Sequence, residues 1–94
     1  MHPANAEFVE WDHGNEAELA RHRIDPTEVE DLFVADPVWV PNRRNRKGDW
    51  KMIGPTSSGR RLTIVLRAHP SRRTIRPITG WDSTLGEQTR YLNH

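Results

Sequence analysis

The stretch IDPTEVEDLFVADP (24–37) specifies both ends of one helix, and the chain after it must fold as something else. Asp25 is placed to cap the first turn, Pro26 suits the first helical position, and Glu28 stands where a capping box needs it. Ile24 and Val29 flank this start at the spacing of a hydrophobic staple. Val29, Leu32 and Phe33 then share one face at i, i+3 and i+4. Pro37 disfavours helical backbone at Asp36, so the spacing predicts a helix over 26–35.

Downstream, four strand-like runs follow: VWV (38–40), WKMIG (50–54), RLTIVLRA (61–68) and TIRPITGW (74–81). Turn-rich pieces separate them, NRRNRKGD, PTSSGR and HPSRR. The third run is the longest and most apolar, which makes it central, and Pro77 places the fourth at an edge or a bulge. Upstream, EFVEW (7–11) suits a short strand. Asp12 offers a cap for a helix in HGNEAELARHR, with Leu19 and Ala20 toward the core and Gly14 weakening its first turn by up to ~1 kcal/mol. At the far end Thr84 and Glu87 frame a short helix carrying Leu85 and Tyr91. The order is β-α-α-β-β-β-β-α, an α+β domain with a small, mostly antiparallel sheet. Ninety-four residues give one core, so 1–94 reads as a single domain with 1–6 loose. Only 34% of residues are apolar, so that core must be small.

No cysteine is present, which removes disulfide and thiolate chemistry. MHPANAEF lacks the basic flank and apolar stretch of a signal peptide, and no apolar run approaches the ~20 residues that cross a bilayer. The expectation is a cytoplasmic protein with no membrane segment.

The formal net charge of +1 hides a strong segregation. Residues 1–40 hold two cations (Arg21 and Arg23) against ten acids, a net of −8; residues 41–76 hold eleven cations against Asp49 alone, a net of +10. PNRRNRKGDWKM (41–52) is the densest piece. A basic segment of this kind points to a polyanion or an acidic partner. The competing outcome is internal pairing with the acidic amino-terminal segment. Strand alternation allows Lys51, Arg61, Arg67 and Arg76 to share one sheet face or its rim. Guanidinium groups make bidentate contacts with phosphate. Trp39 and Trp50 flank the cluster and Trp81 follows the last strand, so indoles stand beside cations as in single-strand stacking platforms. Core packing is the alternative for at least two of these rings, Trp39 first. Arg43, Arg44, Arg46, Lys47, Arg61 and Arg67, with Trp50 and Trp81, are the candidate RNA contacts.

No Walker loop, metal-spaced His/Cys set or Ser-His-Asp constellation occurs, and no metal or cofactor is expected. One reaction fits this inventory: metal-independent RNA cleavage, in which the ribose 2′-oxygen attacks its own phosphorus. The protein then supplies a base, an acid and positive charge for the phosphorane. Arg76 and Lys51 are the candidates for charge stabilisation, His22 or Glu87 for proton transfer.

The ordered motifs FVEWD (8–12), ARHRIDPTEVEDLFVADP (20–37), GRRLTIVL (59–66) and IRPITGWDSTLGEQTRY (75–91) resemble the BrnT-type toxins of type II toxin–antitoxin modules. These toxins fall within the RelE-like ribonuclease fold group, and the resemblance spans about residues 7–92. It implies a small sheet ribonuclease that inhibits translation by cutting RNA. It also implies a cognate antitoxin, often of the ribbon-helix-helix type. Because so small a core gains by pairing with itself or with a partner, the expected assembly is a homodimer or a toxin–antitoxin hetero-oligomer. His22, Glu28, Phe33, Asp36 and Pro37 fall in matching places, as do Arg76, Glu87 and Tyr91. Trp81 stands where the family has an arginine, and Gln88 replaces another. Lys51, Arg67 and the Arg43–Lys47 cluster are the substitutes; a catalytically weak or inactive RNA- or antitoxin-binding module is the alternative.

Overall fold

The computed structural model describes residues 2–43 and 46–92. In chain order the elements are β1 (Phe8–Val9), α1 (His13–Ala20), α2 (Pro26–Val34), β2 (Val38–Pro41), β3 (Trp50–Pro55), β4 (Arg61–His69), β5 (Thr74–Asp82) and α3 (Leu85–Glu87), which runs on as a π-helical turn, Gln88–Leu92. This is an α+β architecture. The caps read from sequence form as hydrogen-bonded boxes at Asp25/Glu28 and Thr84/Glu87, and Asp12 makes a third with Asn15. Helical composition continued to Arg23, yet α1 stops at Ala20. Arg23 takes a left-handed φ of 60°, and the Ile24 N–H turns back to the Leu19 carbonyl at 3.0 Å. That reversal buries Ile24 to start α2.

The five strands form one sheet in the order β1-β5-β4-β3-β2, antiparallel except for β1 beside β5. β4 is central, as its apolar run predicts. Its Leu62, Ile64 and Leu66 face the helices and are fully buried, each contributing about 1.5–3 kcal/mol. Leu19, Ile24, Val29 and Leu32 close this core from above, with Met52 and Ile75 beside β4. α1 approaches β5 so closely that a Cβ at Gly80 would stand 2.6 Å from Ile64 Cδ1 and 3.2 Å from Leu19 Cδ2. Beside Pro77 the register slips: Val65 pairs with Thr79 and Leu66 with Pro77, leaving Ile78 as the extra residue of a bulge.

The free edge of β2 is blunted. The Asn42 N–H donates to the Asp49 carbonyl at 2.9 Å, so alternate residues 38, 40 and 42 turn their backbone polar groups toward β3. Positions 37, 39 and 41 turn outward, and two of them are prolines without an N–H. Such an edge resists strand addition.

The amino-terminal residues differ from the loose segment expected. Pro3–Asn5 form a 3-10 turn whose first N–H groups include Ala4, donating to His2 Nδ1 at 3.1 Å. Pro3 and Ala6 are buried, and the His2 ring lies 4.9 Å from Trp50 and 5.9 Å from Trp39. The two indoles supply the apolar surface that holds the segment. Among the described residues no helix is long and apolar enough to cross a membrane.

On the sheet's second face the carboxy-terminal turn packs against β3, and Ile53 and Thr63 are fully buried there. Beyond that turn the face is open only in part: Val65 is buried, and Lys51 and Thr79 are half-buried.

Candidate nucleic-acid interface

Register decides what this open face presents. Lys51 pairs with Val65 and Val65 with Thr79, so three adjacent strands contribute one cross-strand row; Trp81 belongs to the next row, opposite Thr63. The described part of the β2–β3 loop, residues 42–43 and 46–49, folds over this row. Asn42 fastens it, with Nδ2 donating to the Lys47 carbonyl at 2.6 Å and Oδ1 accepting the Arg43 N–H at 3.0 Å. Gly48 lets it lie flat: its φ is +80°, and a Cβ there would stand 2.7 Å from Val65 Cγ1 and 2.8 Å from the Leu66 carbonyl oxygen. Only glycine fits this approach at that backbone angle.

Loop and row enclose a concavity of about 560 Å3, lined by Asn42, Arg43, Arg46, Lys47, Lys51, Val65, Thr79 and Trp81. Its volume lies in the range of ligand clefts, roughly 300–1,000 Å3. Among the described residues of the lining, four are cations and none is an acid. Lys51 Nζ stands 6.0 Å from the centre of the Trp81 ring, and Trp81 Nε1 donates to Glu87 Oε1 at 3.0 Å, which fixes the indole's orientation. A cationic wall beside a held aromatic plane can take a phosphate and stack its base.

Other cations of the basic segment are neutralised. Arg76 donates to both Asp12 carboxylate oxygens, at 2.8 and 3.2 Å, and lies 3.5 Å from Glu10. This hydrogen-bonded pairing holds the Asp12 carboxyl at about 2. Arg60 reaches Glu28 at 2.9 Å and Asp82 at 2.8 Å, and also donates to the Arg23 carbonyl at 2.7 Å. The Asp82 carboxyl is held below its ordinary range, chiefly by the Arg60 hydrogen bond. Arg72 pairs with Glu10 and Arg73 with Glu7. Internal pairing with the acidic amino-terminal segment therefore claims Arg60, Arg72, Arg73 and Arg76. Among the described residues Arg43, Arg46, Lys47 and Lys51 have no ion pair.

The residues singled out from sequence thus separate. Lys51, Arg43, Arg46, Lys47 and Trp81 come together; Arg44 lies outside the described residues. Lys51, Arg61, Arg67 and Arg76 do share the open face by register. Arg76, however, is engaged by Asp12 and Glu10, so it is not the free phosphorane cation anticipated. Arg61 donates to Gln88 Oε1 at 3.1 Å, and exposed Arg67 stands opposite Arg76, both outside the concavity's lining. Trp50 is not a stacking platform: alternation turns it to the helix side, against the core and His2. His22 Nε2 lies 3.4 Å from Glu18 Oε2 and does not line the concavity. Glu87 accepts from the Thr84 N–H at 2.8 Å, Thr63 Oγ1 at 3.1 Å and the Trp81 indole. It caps a helix and positions Trp81.

Asn42, Gly48 and Thr79 were missed. The tight Arg-rich loop ending in Gly-Asp hinted at the first two; Thr79 carried no signal until its register was known. Thr79 Oγ1 donates to Glu18 Oε2 at 2.8 Å, and this bond is the main cause that lowers the Glu18 carboxyl's pKa. No protein-family model matches the chain, and no curated protein matches it at a significant level.

Proposed function

We propose that this chain is a toxin-like RNA-binding protein of the BrnT type, with a RelE-like fold, that cleaves single-stranded RNA bound in the concavity. The observation that carries the reading is the gathering, among the described residues, of four cations without an ion pair and a held indole, with no carboxylate in the lining, on one sheet face. Arg43 and Arg46 grip backbone phosphate, Trp81 stacks a base, and half-buried Lys51 faces the scissile group from the floor. In the reaction the 2′-oxygen bonds to phosphorus and loses its proton to water, while the bond to the 5′-oxygen breaks. Lys51 stabilises the phosphorane and protonates the leaving oxygen. Products are a 2′,3′-cyclic phosphate and a 5′-hydroxyl. In this reading a cognate antitoxin, of the ribbon-helix-helix type, restrains the activity.

A second reading, an RNA-binding module without cleavage, is favoured by one feature: among the described residues no carboxylate or imidazole lines the concavity to act as base. Incubation with a structured mRNA separates the two. Fragments ending in 2′,3′-cyclic phosphate, lost in Lys51→Ala and kept in His22→Ala, support the enzyme. Intact RNA with binding that weakens steeply as salt rises supports the module. Intact RNA with no salt-dependent binding rejects both.

A further inference from the structure

A second concavity, of about 450 Å3, adjoins the first. The two share Lys47 and Thr79 as a common wall. The acidic pocket at Glu28 and Asp31 and the apolar one at Phe33 and Trp39 share no residue with either. From Thr79 the second concavity extends over Ile78, the bulged residue, to Glu18 and Arg21 on and just after α1. Arg76 also borders it, but Asp12 and Glu10 occupy that guanidinium.

Arg21 is different. Its side chain is 75% exposed and its partner is Glu18, at 2.8 Å, three residues back on the same helix. Exposed ion pairs within one helical turn are weak, so the guanidinium is cheaply redirected. Glu18 retains Thr79 as donor when Arg21 leaves. A ribonucleotide chain seated in the first concavity carries a further phosphate on each side, and Lys47 bridges the way to the second.

We infer that the two concavities form one continuous groove crossing β5, and that Arg21 with Lys47 holds the phosphate of the nucleotide next to the one stacked on Trp81. The inference rests on the RNA-binding reading and extends it. Arg21 belongs to the acidic half of the sequence, so charge segregation alone gives no reason to expect it in the site. The bulge at Ile78 brings β5 and the loop to it.

The test uses 2′-O-methyl oligonucleotides, which lack the attacking hydroxyl, as a dinucleotide and a hexanucleotide, with affinity measured between about 50 and 200 mM salt. Each lost phosphate contact to a single strand lowers the log–log salt slope by about 0.7. Arg21→Ala is expected to lower the slope by about that amount for the hexanucleotide and to leave the dinucleotide unchanged. Lys51→Ala is expected to weaken both. Adding Glu18→Gln to Arg21→Ala separates contact from charge masking: the lowered slope persists if Arg21 touches phosphate and recovers if it only neutralises Glu18. An unchanged slope, an equal change at both lengths, or recovery in the double variant overturns the inference while the RNA reading stands. Absence of salt-dependent binding by the wild type overturns both.

Discussion

Arg60 and Lys51 lie on opposite sides of one sheet and show how one basic segment divides its labour. Arg60 meets Glu28 of α2 and Asp82 of β5 and ties the helical layer to the end of the sheet. Lys51 stands in a row with Val65 and Thr79, where no carboxylate reaches it among the described residues. The difference is one of topology. Carboxylates of the amino-terminal segment line the helical layer and β1, so they pair with the rim cations Arg60, Arg72, Arg73 and Arg76, while Glu18 ends at Arg21 and the Thr79 hydroxyl. The β2–β3 loop projects beyond that reach. The cations left beyond that reach, with the weakly paired Arg21 beside them, are what is available to a ligand.

The largest effect expected from breaking this division is on binding. Replacing Arg43, Arg46 and Lys51 together by Ala should weaken single-stranded RNA binding by about 100-fold or more, ~2.7 kcal/mol, in a filter or anisotropy assay. The same variant should unfold in denaturant near the wild-type midpoint, since each group is solvated and unpaired.

Arg60→Ala reverses the pattern. Losing charge-assisted hydrogen bonds from a site only 26% exposed should cost about 2 kcal/mol in denaturant unfolding and leave RNA affinity unchanged. Gly48→Ala joins the two regions. A side chain at φ +80° against Val65 and Leu66 strains the loop by about 1–2 kcal/mol. Stability and RNA affinity should fall together, which neither of the other variants does.

Acid should loosen the paired set alone. Asp12, Glu18, Asp25 and Asp82 all titrate below their ordinary range in the folded chain. Below about pH 4 the unfolded chain therefore binds more protons than the folded one. Stability from these groups is complete above that point and is lost as pH falls toward 2, through the folded value of Asp12. A thermal midpoint that drops over this window, less so in Asp12→Asn, is the expected result.

Local signals were legible because they act over a few residues. Asp25, Pro26 and Glu28 define the start of α2 whatever surrounds them, and the apolar run 61–68 belongs in the centre of any sheet it joins. The short reach of such rules also explains what sequence hid. Arg76 and Asp12 are 64 residues apart, and nothing in either segment announces their pairing. Alternation placed Lys51 and Arg76 on one face correctly, but facing direction does not reveal which carboxylates arrive there. Trp50 shows the converse: proximity to cations in sequence suggested stacking, whereas one step of alternation turned its ring to the core. The parallel β1–β5 pairing, which brings the acidic amino terminus beside Arg72, Arg73 and Arg76, is the long-range event that decided these cases.

The central claim is that ligand phosphate goes to the cations lining the concavity and not to Arg60, Arg72, Arg73 and Arg76, which carboxylates hold. Titrating isotope-labelled protein with a short single-stranded 2′-O-methyl RNA and following backbone and indole N–H signals tests it most directly. Shifts at residues 42–48, Lys51, Val65, Thr79 and the Trp81 indole, and at Glu18 and Arg21 where the groove continues, are the predicted result. Shifts centred on Arg60, Glu28 and Asp82, or none at saturating RNA, contradict it.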